Sequence, residues 1–299
     1  MRHSNNTYKA SDTSRVGSVL RDYSQLVKLK LSLLVVFSSI AGYMIVAGSM
    51  FSIVDLVLLF LGGFCTTGAA NTLNQVLEKD FDRLMKRTQD RPLAQGRMKV
   101  SEAVLFAGLM CLIGILFLAT FNPITAMLGM LSMILYSFVY TPVKRYSTSA
   151  VAIGAIPGAL PILIGCTAFE GSISLLALSL FTLQFIWQFP HFWSIGYLGF
   201  DDYKKAGYRL MPMDQQGSID NSLGFQVFAY SLLLLPVTII MYYYLNASLL
   251  STGISLVIAV IYIYYSFKFY KHFDHSSARK TMFASFIYLP VMQMAYWIF

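Results

Sequence analysis

Residues 51–99 read FSIVDLVLLFLGGFCTTGAANTLNQVLEKDFDRLMKRTQDRPLAQGRMK. The run as far as Ala70 is apolar and about as long as a helix needs to cross a hydrocarbon layer of about 30 Å. It then passes into a polar segment without a turn signal. Asn74, Glu78 and Asp82 fall at i, i+4 and i+8, so a helix carries all three on one face with a drift of only about 40° per step. Asn offers a carbonyl oxygen and the two acids offer carboxylates, the hard ligands that Mg²⁺ prefers. Arg83, Lys86, Arg87, Arg91 and Arg97 follow, cationic donors suited to phosphate oxygens. An acid-held metal beside fixed cations suits a diphosphate that has to be stabilised as it leaves. The same pattern also fits a solvated helix end carrying i,i+4 ion pairs. Its place at the end of a membrane-length run favours the functional reading, because ionisable groups there are costly to keep.

Composition agrees with a membrane protein. Hydrophobic residues make up 57% of the 299 and charged residues 12%, where soluble domains carry about 25% charged residues; the mean hydropathy is +0.62. The chain has no room for a separate soluble domain. A formal charge of +8 does not imply nucleic acid, because the basic residues sit in loops between apolar segments, where they orient the chain. Cys65, Cys111 and Cys166 all lie inside apolar segments with no CxxC pairing, which argues against a disulfide framework or a zinc site.

Nine apolar segments are expected near 31–49, 52–77, 101–121, 123–142, 149–168, 172–199, 221–245, 248–268 and 280–298. Residues 1–27 are polar and lack the apolar core and cleavage site of a signal peptide. They read as a cytoplasmic tail, with 28–299 forming one nine-helix domain. Every Lys and Arg then falls before the first segment or after the second, fourth, sixth and eighth, and the opposite connections hold none. That asymmetry predicts a cytoplasmic N-terminus and an external C-terminus. Two loops on the charged side, 78–100 and 200–220, are long enough to cover a site. Gly and Pro in GAIPGALPILIG (154–165) are expected to break or bend a helix lining a cavity, or to allow close helix packing.

A second polar group closes the sixth segment in FIWQFPHFWSIGYLGFDDYKKAGYRLMP. Asp201 and Asp202 are followed by Lys204, Lys205 and Arg209, again acids and then cations, which suggests one diphosphate site shared by the two loops. A capped, positively flanked helix end would read the same way. His191 lies two to three turns deeper, with Gln188 one turn away; a neutral imidazole there suits haem iron, base chemistry or packing. YTPVKRYST (140–148) adds Tyr140, Lys144 and Arg145, as anchors or as phosphate contacts.

These motifs resemble the UbiA-type intramembrane prenyltransferases. NQVLEKDFDRLMKRTQDRPL is similar to their first signature in the variant of the protohaem-farnesylating branch; YTPVKR, GAIPGALPILIG, WQFPHFW and DDYKKAGYRLMP are similar to later ones. The resemblance runs from about residue 24 to the end. It implies an all-α polytopic fold with nine transmembrane helices around a central cavity open to lipid. It implies Mg²⁺ held by Asn74, Glu78, Asp82 and Asp202, with Asp201 nearby. Lys28, Arg83, Arg87, Arg91, Tyr140, Lys144, Arg145 and Lys205 would contact the substrate, and His191 would serve the acceptor. An Asp pair and His191 stand where aromatic-acceptor members carry two spaced Asp, which points from a phenol towards haem. The proline often found in the KLK segment (28–30) is missing, as is a frequent asparagine near TSA (148–150).

The activity so implied is Mg²⁺-assisted ionisation of farnesyl diphosphate, attack by a haem b vinyl group and addition of water, giving haem O. Implied partners are membrane lipid and haem A synthase or terminal-oxidase assembly, in a bacterial inner membrane, with no nucleic acid. Prenylation of a quinone precursor or another aromatic acceptor is the alternative within the enzyme class. A transporter with a cation-binding acidic face is less consistent, since transporters carry polar groups at mid-span and internal repeats. A non-catalytic oxidase assembly factor would show no Mg²⁺-dependent turnover.

Overall fold

A computed structural model describes residues 17–245 and 247–299. The polar tail is thus covered only from residue 17; its earlier part, with Arg2, Lys9, Asp12 and Arg15, lies outside the described residues. Among the described residues, nine helices are long and apolar enough to cross a membrane. They are α1 (Leu29–Ala47), α2 (Ile53–Asp82), α3 (Val100–Ala119), α4 (Pro123–Val143), α5 (Ala150–Glu170), α6 (Leu175–Leu198), α7 (Ser222–Leu245), α8 (Leu249–His272) and α9 (His275–Ile298). Together with the family described below, they make this a multi-pass membrane protein. A shorter helix over 17–26 leads into α1.

The connections on the uncharged side are short because side chains close the helix ends. Ser52 Oγ accepts from the Asp55 amide, Asn122 Oδ1 from Thr125, Ser174 Oγ from Ala177 and Ser248 Oγ from Ser251. Each cap supplies about 1 kcal/mol at a depth where an orphan amide has little water to meet. On the other side the connections interlock. Arg97 grips Asp22, Lys28 reaches Asn74, the Arg209 amide donates to the Lys144 carbonyl and the Tyr197 hydroxyl to that of Phe273. All the Lys- and Arg-bearing connections with described residues therefore meet on one face, as spans that alternate in direction require.

α5 is the central staff. Of its apolar window 78% is buried, against 28–50% for the other eight helices. It packs on α1, α4 and α6, and the approach to α1 is close: a Cβ at Gly165 would lie 1.8 Å from the Ser39 carbonyl oxygen. Of the two readings of 154–165, the close approach at Gly165 fits helix packing, and α5 stays helical through Pro157 and Pro161 without a break. Pro161 has no amide for the Pro157 carbonyl, and that oxygen accepts from Ser132 Oγ of α4 at 3.2 Å instead.

Three boundaries differ most from expectation, one of them the end of α8 at His272 where 268 was expected. α2 runs on to Asp82 because Gln75, Leu77, Glu78 and Lys79 are good helix formers, and α9 starts at His275 on an Asp274 capping box. α4 leaves the regular register over Leu135–Tyr140, a π segment. Pro142 follows and cannot donate to the carbonyl of Phe138, while the amide and hydroxyl of Thr141 both go to the Tyr136 carbonyl. Single π turns of this kind re-aim side chains. Here they turn Tyr136 and Tyr140 towards the space between the helices.

Candidate active site

α2 carries Asn74, Glu78 and Asp82 down its buried face as the spacing predicts; their exposures are 1%, 3% and 1%. Three acid or amide groups in an apolar bundle need partners, and each has a cation. Lys28 Nζ donates to Asn74 Oδ1 at 2.9 Å and to the Tyr136 hydroxyl at 3.3 Å. Asn74 Nδ2 donates to Glu78 Oε2 at 2.9 Å and to Thr141 Oγ1 at 3.0 Å. Glu78 Oε1 pairs with Lys144 and accepts from the Tyr208 hydroxyl at 3.0 Å. One turn on, Arg91 Nη1 donates to both oxygens of Asp82, at 2.8 and 2.7 Å.

Each cation is placed by its own element. Lys28 stands between the 17–26 helix and α1 with φ 49° and ψ 57°. A left-handed lysine costs about 1–2 kcal/mol, and that strain aims the ammonium under α2. Lys144 follows the π segment of α4, its ammonium 5.3 Å from the Tyr140 ring and 5.0 Å from the Tyr208 ring. Burial and then the Arg91 charge pull the Lys28 pKa well below the usual lysine range. Burial also lowers that of Lys144, against the opposing pull of Glu78. Tyr208 is pushed up by burial and by the Glu78 carboxylate, so its hydroxyl stays a neutral donor.

The loop after α2 holds Arg91 in place. Arg83 Nε donates to the Ala94 carbonyl at 2.7 Å and Thr88 Oγ1 to that of Asp82 at 3.0 Å. Leu93 and Met98 pack with Leu26 and Ala103. Arg87 Nη2 reaches the Tyr203 hydroxyl at 3.4 Å, tying this loop to the one after α6.

The other expected residues sit apart from this cluster. Arg145 caps the Leu77 carbonyl and lies 3.9 Å over the Phe81 ring. Asp201 lines a separate surface pocket with Lys204 and His275. Asp202 is half-buried beside Tyr203, and among the described residues its carboxylate makes no hydrogen bond or ion pair; nor does exposed Lys205. Sequence reasoning missed Tyr136, Thr141 and Tyr208. Tyr208 sits within the quoted DDYKKAGY segment, but nothing local shows that it reaches a residue 130 positions away.

Below the cluster lies a chamber of about 310 Å³ between α1, α2, α4, α5, α6 and α9. Tyr136 and Tyr140 line its upper part, so the charged cluster and the chamber share a wall. The lining is mostly apolar, and Leu31, Leu34 and Phe286 belong to it while remaining exposed on the outer surface, which opens it sideways. Deeper polar groups are paired with each other. Gln293 Nε2 donates to Gln184 Oε1 at 3.0 Å and to Ser38 Oγ at 3.1 Å, and Gln188 Nε2 to the Ala155 carbonyl at 3.0 Å. Gly158 leaves room for that side chain, since a Cβ there would lie 1.9 Å from Gln188 Oε1. His191, seven residues before the end of α6 and thus about 10 Å down, also lines the chamber.

The donors fit a magnesium ion. Glu78 and Asp82 are hard oxygen ligands on one helix face, with Asn74 beside them. Among the described residues no three His, Cys, Asp or Glu groups converge, and Mg²⁺ is usually bound through one or two carboxylates with phosphate oxygens and water completing the shell.

A profile of the UbiA prenyltransferase family matches residues 35–289. A protoheme IX farnesyltransferase of Christiangramia forsetii is 38% identical over 283 residues, covering 93% of each chain. One of Flavobacterium psychrophilum is 38% identical over 287 residues, covering 94% of this chain and 95% of its own. Among solved structures, one from work on digeranylgeranylglyceryl phosphate synthase superposes with a TM-score of 0.78 at 17% identity, covering 93% of this chain and 97% of that one. A UbiA homologue of Archaeoglobus fulgidus bound to GPP and Mg²⁺ gives 0.63 at 15% identity, covering 92% and 99%.

Proposed function

The chain belongs to the UbiA prenyltransferase family, and on that footing we propose that it transfers a farnesyl group from farnesyl diphosphate to a vinyl group of protohaem IX, with addition of water, giving haem O and diphosphate. One observation carries this reading: buried carboxylates, each matched to a cation, stand at the mouth of an apolar chamber that opens towards lipid. An isoprenyl diphosphate divides its chemistry in the same way, a polyanion on a greasy chain.

The residues suggest a division of labour. Lys144 and Arg91 neutralise Glu78 and Asp82 at rest and turn to phosphate oxygens when the diphosphate enters. Lys28 and Arg87 approach from either side. Glu78, Asp82 and Asn74 would hold Mg²⁺, with Asp202 as a further carboxylate for it, and the ion would supply charge stabilisation for the leaving group. Heterolysis of the C–O bond leaves an allylic cation, and the rings of Tyr136 and Tyr140 offer their negative faces to it. The apolar walls keep water from the cation until the vinyl π-electrons have attacked it. The new carbocation beside the porphyrin then takes a water oxygen and loses one proton. His191 faces the acceptor.

The Lys and Arg asymmetry supports a cytoplasmic charged face, and the bacterial relatives support a bacterial inner membrane. Residues 28–299 act as one catalytic domain. Haem A synthase or oxidase assembly would receive the product. Purified protein given farnesyl diphosphate, Mg²⁺ and an equal mixture of haem b and 4-hydroxybenzoate tests the acceptor. Farnesylated haem alone is expected; a farnesylated phenol would overturn the haem assignment.

A further inference from the structure

His191 Nδ1 lies 2.7 Å from Ser285 Oγ of α9, and that oxygen lies 2.5 Å from the Met282 carbonyl oxygen. Two oxygens so close repel unless a proton lies between them, and a hydroxyl has only one. Ser285 therefore donates to Met282 and accepts from the imidazole. The ring proton is fixed on Nδ1, and Nε2 carries the lone pair. Among the described residues Nε2 has no hydrogen-bond partner, although His191 is buried and lines the chamber. A purely structural buried histidine is expected to satisfy both nitrogens.

The ring is also clamped. Trp187, one turn earlier on α6, stacks on it with centroids 4.6 Å apart and planes 18° apart, and Phe286 meets it edge-on at 5.1 Å. The Trp187 indole donates to the Ser285 carbonyl at 2.9 Å, and the Tyr262 hydroxyl to the Trp187 carbonyl at 3.5 Å. Ser285 thus anchors both members of the stacked pair, the tryptophan through its backbone and the histidine through its hydroxyl. A histidine that ligates a metal through one nitrogen almost always donates its other N–H to a fixed acceptor.

We infer that Ser285 is a positioning residue that locks His191 in the Nδ1–H form, so that Nε2 meets the iron of protohaem IX. The inference rests on the haem reading above and adds to it how the acceptor is held. Ser285 touches neither substrate; it acts through His191.

Purified wild type, Ser285→Ala, Ser285→Thr and His191→Ala are titrated with ferric haem b and followed by absorption spectra. Farnesyl diphosphate binding with Mg²⁺ is measured in parallel. Wild type is expected to give a nitrogen-ligated spectrum that His191→Ala loses. Ser285→Ala should bind haem b about 10- to 100-fold more weakly, with a displaced Soret band and unchanged farnesyl diphosphate affinity, and Ser285→Thr should restore the wild-type spectrum. If Ser285→Ala keeps the wild-type spectrum and affinity while His191→Ala loses them, the role of Ser285 is overturned and the haem reading stands. If Ser285→Ala weakens both ligands equally, the hydroxyl serves packing alone, and the inference also falls. If neither variant differs from wild type, His191 is not the iron ligand; if wild type binds no haem b, the proposed function itself fails.

Discussion

Glu78→Gln separates what the carboxylate does for the fold from what it does for the reaction. Glutamine keeps an acceptor for the Tyr208 hydroxyl, now 3.0 Å away, but turns its own NH2 towards Asn74 Nδ2, so the 2.9 Å bond from that amide is lost. It withdraws the negative charge from Lys144, whose exposure is 8%. Removing one partner of a buried pair costs about 3–5 kcal/mol, because the other charge stays buried. The retained Tyr208 bond and the unchanged side-chain volume place this substitution near the lower end, about 3 kcal/mol. At about 2–4 °C per kcal/mol, the unfolding midpoint should fall by about 6–12 °C. Adding Lys144→Met removes the stranded ammonium, and the double variant should melt within about 3 °C of wild type, as buried pairs replaced by apolar groups commonly do. Farnesyl transfer should be lost in both. Thermal unfolding in detergent without substrate, alongside turnover, reads the two effects separately. A single variant that melts with wild type would refute the buried-pair reasoning, and a double variant that recovers transfer would remove Glu78 from catalysis.

Asp82→Asn keeps one acceptor for Arg91 but weakens the metal site; a loss of about 3 kcal/mol of leaving-group stabilisation lowers turnover about 100-fold, read from initial rates at saturating substrate. Chelation by EDTA should stop transfer and excess Mg²⁺ restore it, with the melting curve of the substrate-free protein unchanged. Gly158→Ala puts a Cβ 1.9 Å from Gln188 Oε1 and should cost about 1–3 kcal/mol; it should raise KM for haem b more than for farnesyl diphosphate, as steady-state kinetics with each substrate varied will show. Cysteines placed at Asn122 and Ser172 should react with an impermeant maleimide from outside intact cells, and those at Lys86 and Gln215 only after lysis.

The architecture was readable because two periodic signals are local. Apolar runs of membrane length and the confinement of every Lys and Arg to alternate connections left nine spans as the consistent count. The i, i+4, i+8 spacing placed Asn74, Glu78 and Asp82 on one face, and α2 carries them so. The pairings that complete the cluster are not local. Lys28 meets Asn74 only through a left-handed residue, Tyr208 meets Glu78 across 130 positions, and Tyr136 depends on a π segment that Pro142 brings about. Two prolines in α5 suggested a break, but Ser132 of another helix takes the carbonyl that Pro161 frees. The pairing of His191 with Ser285 had no sequence signature, since a serine in an apolar helix is ordinary.

In the proposed mechanism the α2 carboxylates hold a divalent ion against the diphosphate. Diffraction from crystals grown with Mn²⁺ and a non-hydrolysable farnesyl diphosphate analogue tests it most directly. The expected anomalous peak lies within about 2.0–2.3 Å of oxygens of Glu78 and Asp82, with Lys144 and Arg91 turned to phosphate oxygens. A metal bound elsewhere, with both carboxylates still paired to their cations, would contradict it.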